Sequence, residues 1–147
     1  MIGIIPITIP NAQIWETTEP WLYQIQITLK DADSNILDCK KRQFGMRFFT
    51  MEEDGEVKGV FKLNGKKIKL RGVNTHAWDQ RKVFLKDYEG LLRGYMLAKI
   101  GNVNYFRITQ RPVQEEVYTY CDMLGLMIQT DLPLFGCMRR NKVAEGI

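Results

Sequence analysis

The chain has 147 residues and a mass of 17.2 kDa, and its 45% apolar content is enough for a buried core, which excludes intrinsic disorder. Its 21 Lys and Arg stand against 17 Asp and Glu, a formal charge of +4. The basic groups are spread along the chain, five in residues 1–50 and sixteen beyond, so no dense basic footprint exists and no nucleic-acid partner is expected.

Three widely spaced cysteines, Cys39, Cys121 and Cys137, form neither a disulfide framework nor a zinc knuckle, and a single histidine, His76, excludes most histidine-built metal sites. No cofactor or metal is expected. No stretch approaches the ~18–20 continuous apolar residues of a membrane helix, so the chain reads as soluble, with no membrane partner and with its compartment unassigned. The apolar start, Met1 to Pro10, lacks a basic n-region and is interrupted by Pro6 and Pro10. It reads as a strand and not as a signal peptide.

Residues 1–50 have the pattern of antiparallel β-structure. Alternation over 22–29 directs Leu22, Ile25, Ile27 and Leu29 to one buried face. Polar turn residues 30–35 follow, and Ile36 to Thr50 is the expected return strand of a hairpin. Met51 to Gly59, with Glu52, Glu53, Asp54 and Glu56, reads as an exposed acidic loop. A second hairpin then pairs residues 60–63 with 66–70 about an Asn64-Gly65 turn of the I′ kind.

Beyond Leu70 the period changes. Leu85, Tyr88, Leu91, Leu92, Tyr95, Met96 and Ile100 form a helical stripe that Gly101 closes as a C′ residue. Val103 to Ile108 is a short buried strand. A second helix starts at Thr109 to Pro112, with Glu115 and Glu116 in its first turn and Val113, Val117, Tyr120, Cys121 and Leu124 on its apolar face. Gly125 ends it, and Leu126 to Thr130 is a third strand. The order β-α-β-α-β implies right-handed crossovers and parallel strands. With one glycine in Leu70 to Trp78, a dinucleotide-binding Rossmann unit is excluded and a barrel start remains.

These residues resemble glycoside hydrolase family 2, which holds β-galactosidases, β-glucuronidases and β-mannosidases. Ile14-Trp15 with Pro20-Trp21-Leu22-Tyr23 is similar to the family's Leu-Trp…Pro-x-Leu-Tyr, and Leu37-Asp38 with Phe44-Gly45-Met46-Arg47 to its Leu-Asp…Phe-Gly-x-Arg. Phe61 to Lys66 leading to Leu70-Arg71-Gly72-Val73-Asn74-Thr75-His76, then Phe106-Arg107 and Tyr118 to Leu126, complete the set in order.

The resemblance implies a mixed fold: residues 1–50 as the C-terminal strands of an immunoglobulin-like β-sandwich, 51–66 as a connecting loop and hairpin, and 67–147 as the N-terminal part of a TIM (β/α)8 barrel. It also implies a β-glycoside substrate and a retaining, double-displacement reaction. That reaction needs two carboxyl groups about 5–5.5 Å apart, at the C-terminal ends of barrel strands. None of the nine glutamates has that place, and in the family both catalytic groups come later than strand three. No residue here is therefore assigned as acid/base or nucleophile, and the chain is expected to be inactive alone.

What the resemblance assigns is part of a sugar pocket. Asn74 and His76 follow strand one, His76 as a hydroxyl contact or as a structural hydrogen-bonding group. Arg107 ends strand two, as partner of the nucleophile carboxylate or of a structural ion pair. Asp131 ends strand three, in the pocket or as a loop cap, and Trp78 is a stacking platform or a packing aromatic. Thr109-Gln110-Arg111-Pro112 replaces the Ser-His-Tyr-Pro usual in galactosidases and glucuronidases, and Gln129-Thr130-Asp131 leans towards the mannosidase pattern. A Cys/His nucleophile is disfavoured because Cys39 lies on a strand and Cys121 on an apolar helix face. The alternative reading is a non-catalytic carbohydrate-binding or interaction module. Open strand edges imply an oligomeric or strand-exchanged species.

Overall fold

The computed structural model describes residues 4–54, 57–75 and 78–134. The chain divides between Ile68 and Lys69 into two compact units.

In the first unit, β1 (Tyr23–Lys30) and β2 (Ile36–Phe44) form an antiparallel hairpin. Its turn is built by Asp31, whose carboxylate accepts the backbone N–H groups of Asp33 and Asn35 at 3.0 and 2.8 Å and the Asn35 side chain at 3.0 Å. These bonds, led by the Asn35 amide, hold the Asp31 carboxyl below its usual range. The expected buried face does not form: Ile27 and Leu29 are 63% and 59% exposed. Among the described residues these two strands pair only with each other, and one hairpin supplies no second layer against which to bury a face.

The acidic loop is a second departure, because Phe49–Asp54 is a strand, β3, paired with β4 (Val57–Leu63). Phe49 stacks on Phe61 at 5.5 Å, and Lys62 pairs with Glu52 on the other face. Cross-strand pairing therefore outweighs the low strand propensity of the acidic residues. The return strand expected over 36–50 is correspondingly split into β2 and β3. Asn64 and Gly65 have φ of 52° and 80°, as a I′ turn requires, and the following strand β5 is only Lys66–Lys67. Residues 4–10 form no strand, and Ile4 and Ile5 are 90% and 83% exposed; prolines 6 and 10 have no N–H to donate to a ladder.

The unit's anchor is Trp15, fully buried. It donates its N–H to the Met46 carbonyl at 2.9 Å, its own carbonyl accepts from Asn64 at 2.9 Å, and Arg47 lies 4.3 Å over its ring. A Cβ at Gly45 would meet the Trp15 ring at 2.9 Å, so glycine is needed where the backbone passes the indole.

The second unit holds β6 (Gly72–Thr75), α1 (Trp78–Phe84), α2 (Tyr88–Ile100), β7 (Tyr105–Ile108), α3 (Glu115–Leu124) and β8 (Met127–Thr130). The sheet is parallel in the order β6-β7-β8, as the alternating pattern implies. Helix α1 is additional to it. Leu91 and Tyr95 of α2 and Val117 and Cys121 of α3 pack with Phe106, Ile108 and Leu126 in one core. Ile100 and Leu85, expected on the buried stripe, are 79% and 66% exposed. Two caps also differ. Helix α2 ends with Gly101 at φ −72° and Asn102 in the left-handed region at 64°, a conformation asparagine tolerates. Helix α3 begins at Glu115 after Gln114, later than Pro112, while Gly125 ends it at φ 69° as expected.

Asn104, 3% exposed, ties the lower ends of all three strands. Its side chain accepts the Arg71 N–H at 2.8 Å and donates to the Lys69 carbonyl at 3.0 Å, and its carbonyl accepts from Met127 at 2.9 Å. Among the described residues no helix is long and apolar enough to cross a membrane.

Candidate functional site

Alternation along β7 separates two faces. Phe106 and Ile108 enter the core against the helices, at 5% and 2% exposure, which turns Tyr105 and Arg107 to the opposite face. The parallel register sets Asn74, Arg107 and Gln129 in one row across the three strands. Asp131, two residues beyond Gln129, continues on that same face.

Arg107 and Asp131 form a two-point ion pair. Nε donates to Oδ1 at 3.2 Å and Nη2 to Oδ2 at 2.7 Å, with the two side chains 43% and 20% exposed. The Gln110 N–H and the Gln129 amide donate to the same carboxylate at 3.5 and 3.4 Å, and the Tyr105 hydroxyl donates to Gln129. Arg107 foremost holds the Asp131 carboxyl below its ordinary value. At neutral pH Asp131 is thus an ionised acceptor and has no proton to give as a general acid. Desolvation raises the Tyr105 hydroxyl, and Asp131 adds to that rise while Arg107 opposes it.

The upper ends of the strands are fixed by short-range bonds. The Thr109 hydroxyl donates to the Thr75 carbonyl at 3.0 Å. Gln110 sits at φ 73°, a conformation rarely held by a residue with a side chain, directly after β7. Below the surface, Asp79 is 1% exposed and accepts the Tyr95 hydroxyl at 2.9 Å and the Thr75 hydroxyl at 3.2 Å.

Of the residues singled out from sequence, Arg107 and Asp131 are brought into contact and Asn74 stands beside Arg107 in register. Trp78 lies on α1 with its ring 5.8 Å from Tyr95, edge-on, and its indole fills the space over Gly94. It packs on α2 and remains 39% exposed. His76 lies outside the described residues. Cys121 is buried in the core and its thiol is pushed up by burial, so it is protonated and inert. Tyr105, Gln129 and Gln110 escape sequence reasoning. Period two through Tyr105 to Ile108 and Met127 to Thr130 carries the signal for the first two; nothing in the sequence marks the positive φ of Gln110.

Two family models match the chain: glycosyl hydrolases family 2 over residues 2–47 and its TIM barrel domain over residues 56–145. A β-galactosidase of Oenococcus oeni is 28% identical over 97% of the chain, and a putative β-glucuronidase of Formosa agariphila is 32% identical over 85%. Among solved structures, a Parabacteroides merdae β-glucuronidase superposes with a TM-score of 0.69 at 25% identity over 85% of the chain. A Ruminococcus gnavus β-glucuronidase in complex with D-glucuronic acid gives 0.66 at 27% identity over 84%. The chain spans 14% and 15% of the lengths of the first two relatives and 15% and 20% of the two solved chains. With both models in sequence order and together covering most of its length, the chain belongs to glycosyl hydrolase family 2.

Proposed function

We propose that the chain is the segment of a family 2 glycosidase in which an immunoglobulin-like sandwich ends and a (β/α)8 barrel begins, and that it builds one wall of the pocket for a β-glycoside. On this reading residues 1–50 are sandwich strands, 51–66 connect, and 67–147 hold barrel strands one to three. The observation that carries it is the row Asn74, Arg107, Gln129 with Asp131 on the face of a parallel sheet turned away from its helices. Sites of barrel enzymes are assembled at such strand ends.

The chemistry divides accordingly. Arg107 offers a fixed cation to a carboxylate, now Asp131, and an opposite charge at that distance keeps a carboxylate ionised, as a nucleophile must be. Gln129 and Asn74 offer amide donors and acceptors for sugar hydroxyls. The described glutamates are placed otherwise: Glu16 pairs with Lys66, Glu52 with Lys62 and Glu89 with Arg93, Glu115 and Glu116 open α3, and Glu19 and Glu53 belong to the first unit. The acid/base and nucleophile of a retaining double displacement are supplied from outside these residues. In the longer enzyme that this reading requires, Arg107→Ala lowers kcat/KM for an aryl β-glycoside by about 10²–10³, whereas Arg71→Ala, at the lower ends of the strands, leaves it within a few-fold. Equal effects of the two substitutions contradict the reading.

A further inference from the structure

We propose that the first unit carries a separate carbohydrate site, a groove that stacks a neutral hexopyranose on Trp21 and holds its hydroxyls through Glu19 and Gln13. The groove encloses 380 Å³ and is lined by Gln13, Ile14, Glu19, Pro20 and Trp21, a size within the about 300–1,000 Å³ of small-molecule clefts. All five residues belong to the first unit, whereas Asn74, Arg107 and Asp131 belong to the second. The inference does not depend on the pocket reading above.

The walls are set by backbone bonds. The Gln13 N–H donates to the Tyr23 hydroxyl at 2.7 Å, and buried Trp15 anchors the next turn. The N–H groups of Glu16 and Trp21 both donate to the Glu19 carbonyl, at 3.0 and 2.8 Å. The second bond spans Pro20 alone and closes an inverse γ-turn, which suits the fixed φ of proline. Trp21 stands edge-on to Tyr23, ring centres 6.5 Å apart, and stays 48% exposed.

Gln13, Glu19 and Trp21 line one groove, and a carboxamide, a carboxylate and an indole suit the two-sided chemistry of a sugar: the apolar C–H face stacks, and the hydroxyls donate and accept at the rim. The Glu19 carboxylate acts on Lys66 through its charge, and no hydrogen bond of its side chain is found among the described residues. The neighbouring Glu16 is engaged by Lys66 at 2.8 Å; Glu16, Glu19 and Lys66 together leave one net negative charge at the groove. A neutral ring is accepted there, and a uronate brings a second negative charge that is repelled.

The test is an NMR titration of the isotopically labelled 147-residue chain with methyl β-galactopyranoside and, in parallel, methyl β-glucuronide. The expected result is a saturable shift of the Trp21 indole N–H and the Gln13 side-chain amide with the galactoside, and binding of the glucuronide weaker by about tenfold. Trp21→Ala abolishes the shift at Gln13, Trp21→Phe retains part of it, and Arg107→Ala leaves both shifts unchanged. Glu19→Gln, which keeps shape and removes charge, narrows the difference between the two glycosides and serves where Trp21→Ala fails to fold. Absence of a saturable shift at Trp21, equal affinity for the two glycosides, or an unchanged difference in Glu19→Gln overturns the proposal.

Discussion

Asp131 is where local chemistry is most exposed to measurement. Its carboxyl is held below the ordinary 3.8 chiefly by the Arg107 guanidinium. Stability from a depressed carboxyl is present above the ordinary value and is lost as pH falls through the depressed one. A carboxyl-carbon NMR titration is expected to place Asp131 below 3.8 in the native chain and to return it towards that value in Arg107→Gln. A midpoint unmoved by the substitution contradicts the ion pair. Arg107 and Asp131 are legible in sequence through the family resemblance, which puts each near the C-terminal end of a barrel strand, where sites are built. Their mutual contact is not, since it depends on the register of β7 against β8.

At the scale of elements, the helix and strand order of the second unit followed from periodicity, and its parallel pairing from the rule for crossovers. Periodicity overstates burial at the two ends of the expected stripe, where Leu85 and Ile100 are exposed, whereas Leu97, off the stripe, is exposed as the period requires. Leu91 and Leu97 both lie on α2, yet Leu91 is fully buried and Leu97 is 62% exposed. Leu91→Ala is therefore expected to destabilise the chain by about 2–5 kcal/mol, and Leu97→Ala by less than about 0.5 kcal/mol, both read by chemical denaturation. Similar costs would show that the core is not centred on the α2, α3 and β7 contact. Strand β3 is hidden in the sequence because the charge density of Glu52, Glu53 and Asp54 has the pattern of a loop, while the decisive contacts, Phe49 on Phe61 and Lys62 on Glu52, are cross-strand. A residue pattern reports its own segment's period, and not the partner that pays for it.

For the whole chain, exposed apolar surface is the governing feature. Among the described residues strands β6 and β8 are the edges of their sheet, Val73 on β6 is 50% exposed, and Ile27, Leu29, Ile36 and Leu37 on the first hairpin are 59–66% exposed. Unpaired edges carrying apolar side chains recruit other strands. Self-association or strand exchange is expected in light scattering of the purified 147-residue chain, and a strictly monomeric, monodisperse species contradicts it. Family membership explains why length misleads at this scale: a chain sized like one domain matches two family models in succession.

The central claim is that these residues shape a glycoside pocket without supplying its reacting carboxylates. Its most direct test is turnover of aryl β-galactoside, β-glucuronide and β-mannoside by the purified 147-residue chain. The account predicts no release of the aryl group above the uncatalysed rate. Turnover with any of the three that disappears in Arg107→Ala would contradict it.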